Sequence, residues 1–289
     1  MKKARVSKTA EANLLMLSDL GIEEAVHFQK VLQFSPGVLG ALSHIPMASS
    51  LPQCISMISE VLYERTNEIV IEKDNPIILD LACGYSPRVL KVCDKKHTYI
   101  GVDLPDVTGE LTKHREELTG HIRGSIKEYY SVDLTKYDEL VALMDKLHEP
   151  TTVITQALLT YLTLDQKQVL MENIKSQLLK KGGCWIIPDA APARFLPEVF
   201  TAVMGSEAYS VYEQVIKVVD LAVKRDRSVN GWQTTDEICE ALLKNGFHVE
   251  RVPLYTDTLE LRSLRSLSEE KRQQVIENWR STSSLVVTV

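Results

Sequence analysis

The chain has few cysteines, and none are paired at metal-binding or redox spacing. Cys54, Cys83, Cys93, Cys184 and Cys239 are odd in number and scattered, which argues against a disulfide framework and against a zinc site. Long apolar runs are missing too. The longest weakly polar stretch, Pro36 to Pro52, is broken by His44, two glycines and three prolines, too interrupted to span a bilayer. The amino end, Met1-Lys2-Lys3-Ala4-Arg5, is basic like the start of a signal peptide, but Glu11, Asp19 and Glu23 follow before any apolar core develops. Positive charge is in deficit: 33 Lys+Arg stand against 39 Asp+Glu, a formal charge of −6, where a nucleic-acid binder would show a basic surplus. The histidines lack metal-like spacing; His114 and His121 lie seven apart on a polar helix. The expectation is a cytoplasmic, soluble protein with no metal, no membrane partner and no nucleic acid.

What is present is ordinary globular composition, 44% hydrophobic and 25% charged over 289 residues, enough for one large domain or two small ones. Residues 1–75 read as helices, with apolar periodicity at Leu14-Leu15-x-Leu17 and at Ile55, Ile58, Val61 and Leu62. From residue 76 to 289 short β-branched runs alternate with amphipathic helices. Pro76 to Leu81 is a nearly continuous apolar run, as a strand buried on both faces requires. Tyr99 to Asp103, Tyr129 to Leu134, Thr152 to Thr155 and Cys184 to Ile187 follow as strands, with Phe247 to Leu254 and Ser284 to Val289 closing the sheet. Thr163-x-x-Gln166 and Thr234-x-x-Glu237 are helix starts, and Gly182 and Asn245-Gly246 are stops. Repeated strand-then-helix order predicts an α/β fold with a mainly parallel sheet. Residues 190–233 form a long, largely helical insertion, a length typical of lids.

Ligands of such sheets bind outside the carboxyl ends of the strands, which directs attention to Leu79-Asp80-Leu81-Ala82-Cys83-Gly84-Tyr85-Ser86-Pro87-Arg88. Gly84 and its small neighbours let the backbone approach a ligand, while Ser86 can cap the next helix and Pro87 suits its first position. Nineteen residues after Gly84 stands Asp103, a carboxylate placed to accept both hydroxyls of a ribose. The dinucleotide pattern G-x-G-x-x-G is not met, since its positions hold Ala82, Gly84 and Pro87, and no G-x-x-x-x-G-K-S/T occurs. An adenosine cofactor without phosphates, S-adenosyl-L-methionine, fits this loop better than a dinucleotide does.

The chain resembles the leucine carboxyl methyltransferase family, class I S-adenosylmethionine-dependent O-methyltransferases. Val6-Ser7-Lys8-Thr9-Ala10 is similar to that family's S-R/K-T-A signature, and Tyr63-Glu64-Arg65-Thr66 to its R-T element. Val102-Asp103-Leu104-Pro105-Asp106-Val107 is similar to V-D-L-P-x-V, Val132-Asp133-Leu134 to the start of D-L-R-D, and Ala157-Leu158-Leu159-Thr160-Tyr161-Leu162 to E-G-L-x-x-Y-L. The resemblance implies a seven-stranded, Rossmann-like sheet with a helical amino-terminal cap over 1–75 and a methyltransferase core over 76–289. It implies that Arg65 and Lys8 bind the cofactor carboxylate and that Ala82, Gly84 and Tyr85 pass beside its methionine part. Asp103, with Leu104, would hold the ribose, Asp133 and Leu134 would recognise the adenine, and Gln156 would meet the methionine moiety. The family carries glycine at Ala82, D-T-R at Ser86-Pro87-Arg88 and glutamate at Gln156. An amide at that last position keeps an acceptor carbonyl for the cofactor's ammonium without charge-assisted strength.

The expected reaction is methyl transfer from S-adenosyl-L-methionine, leaving S-adenosyl-L-homocysteine, to a carboxylate of a small molecule or a protein terminus. Arg88, Tyr161 and Arg194 are the candidates for acceptor contact, and the role of the remaining residues is positioning. A hydroxyl acceptor is the alternative, but it needs a base, and no histidine stands at a strand's carboxyl end. Two further classes remain: a nicotinamide-dependent oxidoreductase, disfavoured by the absent third glycine, and a non-catalytic member of the fold acting as an interaction module.

Overall fold

The computed structural model describes residues 3–35, 51–120, 122, 126–190, 192–205, 210, 213, 232 and 234–289, with backbone alone at 3–7, 51, 126 and 192–197. Among the described residues the chain opens with the helices α1 (Lys3–Asp19), α2 (Glu23–Leu32) and α3 (Leu51–Lys73). Then come β1 (Ile77–Leu81), α4 (Arg88–Val92), β2 (Thr98–Asp103), α5 (Pro105–Lys113), α6 (Arg115–Thr119) and β3 (Ile126–Ser131). These lead to α7 (Tyr137–Met144), β4 (Thr151–Ile154), α8 (Leu164–Lys181), β5 (Gly183–Ile187) and α9 (Pro192–Met204). The last elements are α10 (Thr235–Lys244), β6 (His248–Pro253), α11 (Glu269–Ser281) and β7 (Ser283–Thr288).

The seven strands form one sheet in the order β3-β2-β1-β4-β5-β7-β6. Strands β1 to β5 pair in parallel, and β7 runs antiparallel between β5 and β6. This is the class I methyltransferase, Rossmann-like sheet. Its order reverses between β1 and β4, so the crevice at their carboxyl ends is the place for a ligand.

The sheet is covered on both faces because its strands alternate between two cores. Ile77, Leu79 and Leu81 pack with Val153, Trp185, Ile187 and α8 on one side. Ile78, Ile154 and Ile186 pack with Leu14, Leu17 and Phe28 of the amino-terminal helices on the other. Asp80 falls among the second set by register, which puts a carboxylate inside an apolar layer, 2% exposed. A third apolar cluster lies at the carboxyl edge. It joins Met57, Val61 and Leu62 of α3, Phe200 of α9, and Leu254 and Trp279 from the stretch linking β6 to β7. That stretch lies at this edge because Pro253 pairs with Ser283. Glu60, 1% exposed, ties it down by accepting the Arg262 and Ser263 amides, each at 2.8 Å.

Local signals hold where they were read. Thr163 makes both arms of its capping box, Gly182 ends α8 at φ 77, and the Thr234 hydroxyl accepts from the Glu237 amide. Two expectations shift. The third strand ends earlier than read, because the Asp133 carboxylate turns the chain by accepting the Thr135 amide at 3.2 Å and hydroxyl at 2.6 Å. Helix α4 opens with Pro87 at the cap position and no side-chain cap, and the Ser86 hydroxyl is buried without a partner. Of the expected lid, 190–233, the backbone of α9 is described. Residues 191, 206–209, 211–212, 214–231 and 233 lie outside the described residues.

Candidate functional site

A cavity of about 450 Å³ opens at the carboxyl ends of β1, β2 and β4, closed from above by α1 and α3. The loop after β1 forms one wall. Gly84 takes φ 55 there, and a Cβ on it would meet the Ala10 Cβ at 3.1 Å, so this turn favours glycine on two counts. Ala82 also stands at a positive φ, 58, which gives a physical reason for the glycine of the resembled family at this place. Tyr85 is held by edge-on packing against Phe34, with ring centroids 4.7 Å apart.

Asp103 ends β2 and faces this loop. One carboxylate oxygen accepts the Gly84 amide at 2.8 Å, and the other accepts the Leu104 amide at 2.7 Å. Burial pushes this carboxyl up from its ordinary pKa, and the two amide donors act against that shift. Each oxygen has two lone pairs, so both amides can be satisfied while acceptor capacity remains for a vicinal diol. Asp133 and Leu134 line the cavity from the end of β3, and Gln156 and Tyr161 from the loop after β4.

The opposite wall is a buried polar cluster that sequence reasoning did not assemble. Arg88, 1% exposed, donates from Nε to the Asp80 carboxylate at 3.0 Å. Its terminal nitrogens donate to Asn67 Oδ1 at 3.0 Å and to Gln156 Oε1 at 2.6 Å. The Tyr63 ring lies 5.8 Å from the guanidinium carbon, and the Tyr99 hydroxyl donates to the same Asp80 oxygen at 2.9 Å. Burial pushes the Asp80 carboxyl up, while Arg88 and Tyr99 oppose that shift. The signal for this cluster was one charged residue inside an otherwise apolar strand. Asn67 carried no signal, being a polar residue on an amphipathic helix.

Not every expected residue meets the cavity. Arg65 is placed away from it, donating from Nε to the Pro253 carbonyl at 2.9 Å and paired with Glu68. Ser59, Leu62 and Tyr63 face the cavity from α3, and two residues past Tyr63 is more than half a turn around the helix. Lys8 pairs with Glu11 at 2.6 Å with its side chain 61% exposed, although Thr9 and Ala10 line the cavity. Gln156 turns its carbonyl to Arg88, where an acceptor for the cofactor's ammonium was expected. Arg194 lies in α9 with its side chain outside the described residues. One acid was overlooked: Asp189, two residues past β5, accepts the Ala157 amide at 3.1 Å while its other oxygen is buried without a partner. Burial raises its pKa to about 6.

No protein-family model matches the chain, and no curated protein matches it. Among solved structures, a protein described as a "putative methyltransferase" from Thermobifida fusca YX aligns over 90% of this chain and 91% of its own, at 15% identity and a TM-score of 0.47. The pyocyanin biosynthetic protein PhzM aligns over 95% and 71%, at 13% identity and a TM-score of 0.44. The plantazolicin methyltransferase BpumL, solved with SAH, aligns over 94% and 98%, at 8% identity and a TM-score of 0.42. The functional reading rests instead on the chain's own residues.

Proposed function

We propose that this protein is an S-adenosyl-L-methionine-dependent O-methyltransferase, related to the leucine carboxyl methyltransferases, that methylates a carboxylate of a small molecule or protein terminus. The observation that carries the reading is the Gly84–Asp103 contact at the order reversal of the sheet. A carboxylate pinned by two backbone amides faces a loop whose glycine tolerates close approach. The residues fit an adenosyl ligand without phosphates: Asp103 for the ribose, Asp133 and Leu134 for the adenine, and the partnerless Ser86 hydroxyl beside the loop. Pro87 at the start of α4 has no N–H to lend to a pyrophosphate. The described lining holds Asp80, Asp103 and Asp133 against Arg88 alone, a negative balance that suits a sulfonium cofactor.

When bound, S-adenosylmethionine supplies an activated methyl group; the chain's own residues position the acceptor. Tyr161, Leu158 and Leu162 wall the cavity next to Gln156, an apolar surface that strips water from an incoming carboxylate. In-line displacement needs the acceptor oxygen about 3–3.5 Å from the methyl carbon. The methyl group so supplied needs only an acceptor oxygen with a lone pair, which a carboxylate already carries. No proton moves, so no base is required, and the described cavity lining contains no histidine. The test is calorimetric titration with S-adenosylhomocysteine of the native protein and of Asp103→Ala. Micromolar binding weakened about 100-fold or more by the substitution, the loss of two charge-assisted hydrogen bonds, is expected. A search for base-labile methyl esters in extracts given labelled donor then identifies the acceptor. Absence of binding in the native protein overturns the proposal and leaves a non-catalytic interaction module.

A further inference from the structure

Arg88 is the one lysine or arginine among the described residues lining the cavity. A guanidinium has five N–H groups in a planar fork. Three are engaged: one on Nε by Asp80, and one on each terminal nitrogen by Asn67 and Gln156. One N–H on each terminal nitrogen remains as a donor for a carboxylate entering the cavity. Gln156 adds to the same polarity. Because its carbonyl is directed at Arg88, its planar amide turns the NH2 group away from Arg88, so the residue presents a donor on the cavity side rather than the acceptor an ammonium would need.

We propose that Arg88, with the Gln156 amide as second donor, is the anchor for the α-carboxylate at the amino-acid end of the cofactor, the role that family resemblance would give to Arg65. The inference rests on the proposed S-adenosyl cofactor and names the residue that positions its methionine half. Arg65 is unsuited because it lies away from the cavity, with its Nε committed to the Pro253 carbonyl and one terminal nitrogen to Glu68. Lys8 is unsuited because its exposed ammonium pairs with Glu11. Asp80 makes a buried anchor sustainable: it balances the guanidinium charge and fixes its plane through Nε, so Arg88 needs no ligand to compensate it. A neutral Gln156 completes that balance. A glutamate there would add a second carboxylate beside Arg88 and repel the incoming one.

The experiment compares S-adenosylhomocysteine with 5′-methylthioadenosine, which lacks the aminocarboxypropyl arm, by calorimetry on the full chain. The variants are Arg88→Met, Arg88→Lys and Gln156→Leu, with thermal unfolding recorded for each. Native protein should bind S-adenosylhomocysteine the more tightly. Arg88→Met should weaken it about 30-fold or more, the worth of a charge-assisted hydrogen-bonded pair, while methylthioadenosine changes less than about threefold. Arg88→Lys should fall between, since a point charge replaces a fork. Should Arg88→Met fail to fold, Gln156→Leu decides with the Asp80 pair intact, expected to weaken S-adenosylhomocysteine about fivefold and methylthioadenosine not at all. Folded variants that weaken both ligands equally, or neither, overturn the assignment. A native protein that binds methylthioadenosine but prefers it also overturns the assignment and leaves the cofactor reading standing. One that binds neither ligand overturns the cofactor reading itself.

Discussion

The two walls of the cavity are built in different ways. The loop wall consists of Gly84, Asp103 and Asp133, each at or just past the end of a strand, with β1, β2 and β3 adjacent in the sheet. Its hydrogen bonds use backbone amides, those of Gly84, Leu104 and Thr135. The buried wall consists of Asp80 from β1, Arg88 from α4 and Gln156 after β4, backed by Asn67 from α3 and Tyr99 from β2, joined side chain to side chain. The first wall follows from parallel pairing alone, since neighbouring strands must deliver their following loops to one edge. The second requires five elements to present the right group at the right height. A change in the loop wall should therefore act on binding with modest effect on folding, and a change in the buried wall should act on folding first.

Asp80→Asn is the most severe way to sharpen this contrast. It leaves Arg88 buried opposite a neutral amide, and breaking a buried pair from one side costs about 3–5 kcal/mol. Denaturant unfolding should show that loss. A loss below about 1 kcal/mol would mean the cluster relaxes to admit water.

Asp189 belongs with the buried wall, because it holds the Ala157 amide beside Gln156 where Ala157 stands at φ 61. Its folded pKa of about 6 lies above the ordinary 3.8. Well below pH 3.8 the carboxyl is protonated folded or unfolded; as pH rises from 3.8 to about 6 only the unfolded chain ionises, so stability falls across that window. At pH 8 the penalty amounts to about 2–3 kcal/mol, from roughly two pKa units. Asp189→Asn should thus match the native protein near about pH 3 and exceed it by about that amount at pH 8. A stability difference that does not vary with pH would refute this reading of Asp189.

Gly84→Ala is the mildest for folding. A Cβ at φ 55 costs about 1–2 kcal/mol. Because Ala10 crowds it at 3.1 Å, the loop should shift away from Asp103. Affinity for S-adenosylhomocysteine, measured by calorimetry, should fall by a larger factor than stability does. The reverse ranking would erase the distinction between the walls.

The same contrast accounts for what could be read in advance. The alternation of strand and helix, the capping box at Thr163 and the Gly84-to-Asp103 spacing rest on period, turn chemistry and spacing, all local. The destination of Arg65 does not: whether it meets the cavity or the Pro253 carbonyl depends on the rotation of α3 against the end of β6. Nor was the third apolar cluster legible, where residues from α3, α9 and the β6–β7 connection pack together. Those segments lie far apart in the chain, and each reads by itself as an ordinary amphipathic stretch.

The sequence by itself determined the sheet and the edge where a ligand goes, because alternating strand and helix patterns with a glycine turn after β1 allow little else. Tertiary structure decided which cation lines the cavity. Arg88, in the first turn of a short helix, could have pointed to solvent. It turns inward because Asp80 occupies the one register position on β1 where a buried carboxylate meets it, and that coincidence of two elements is written in neither alone.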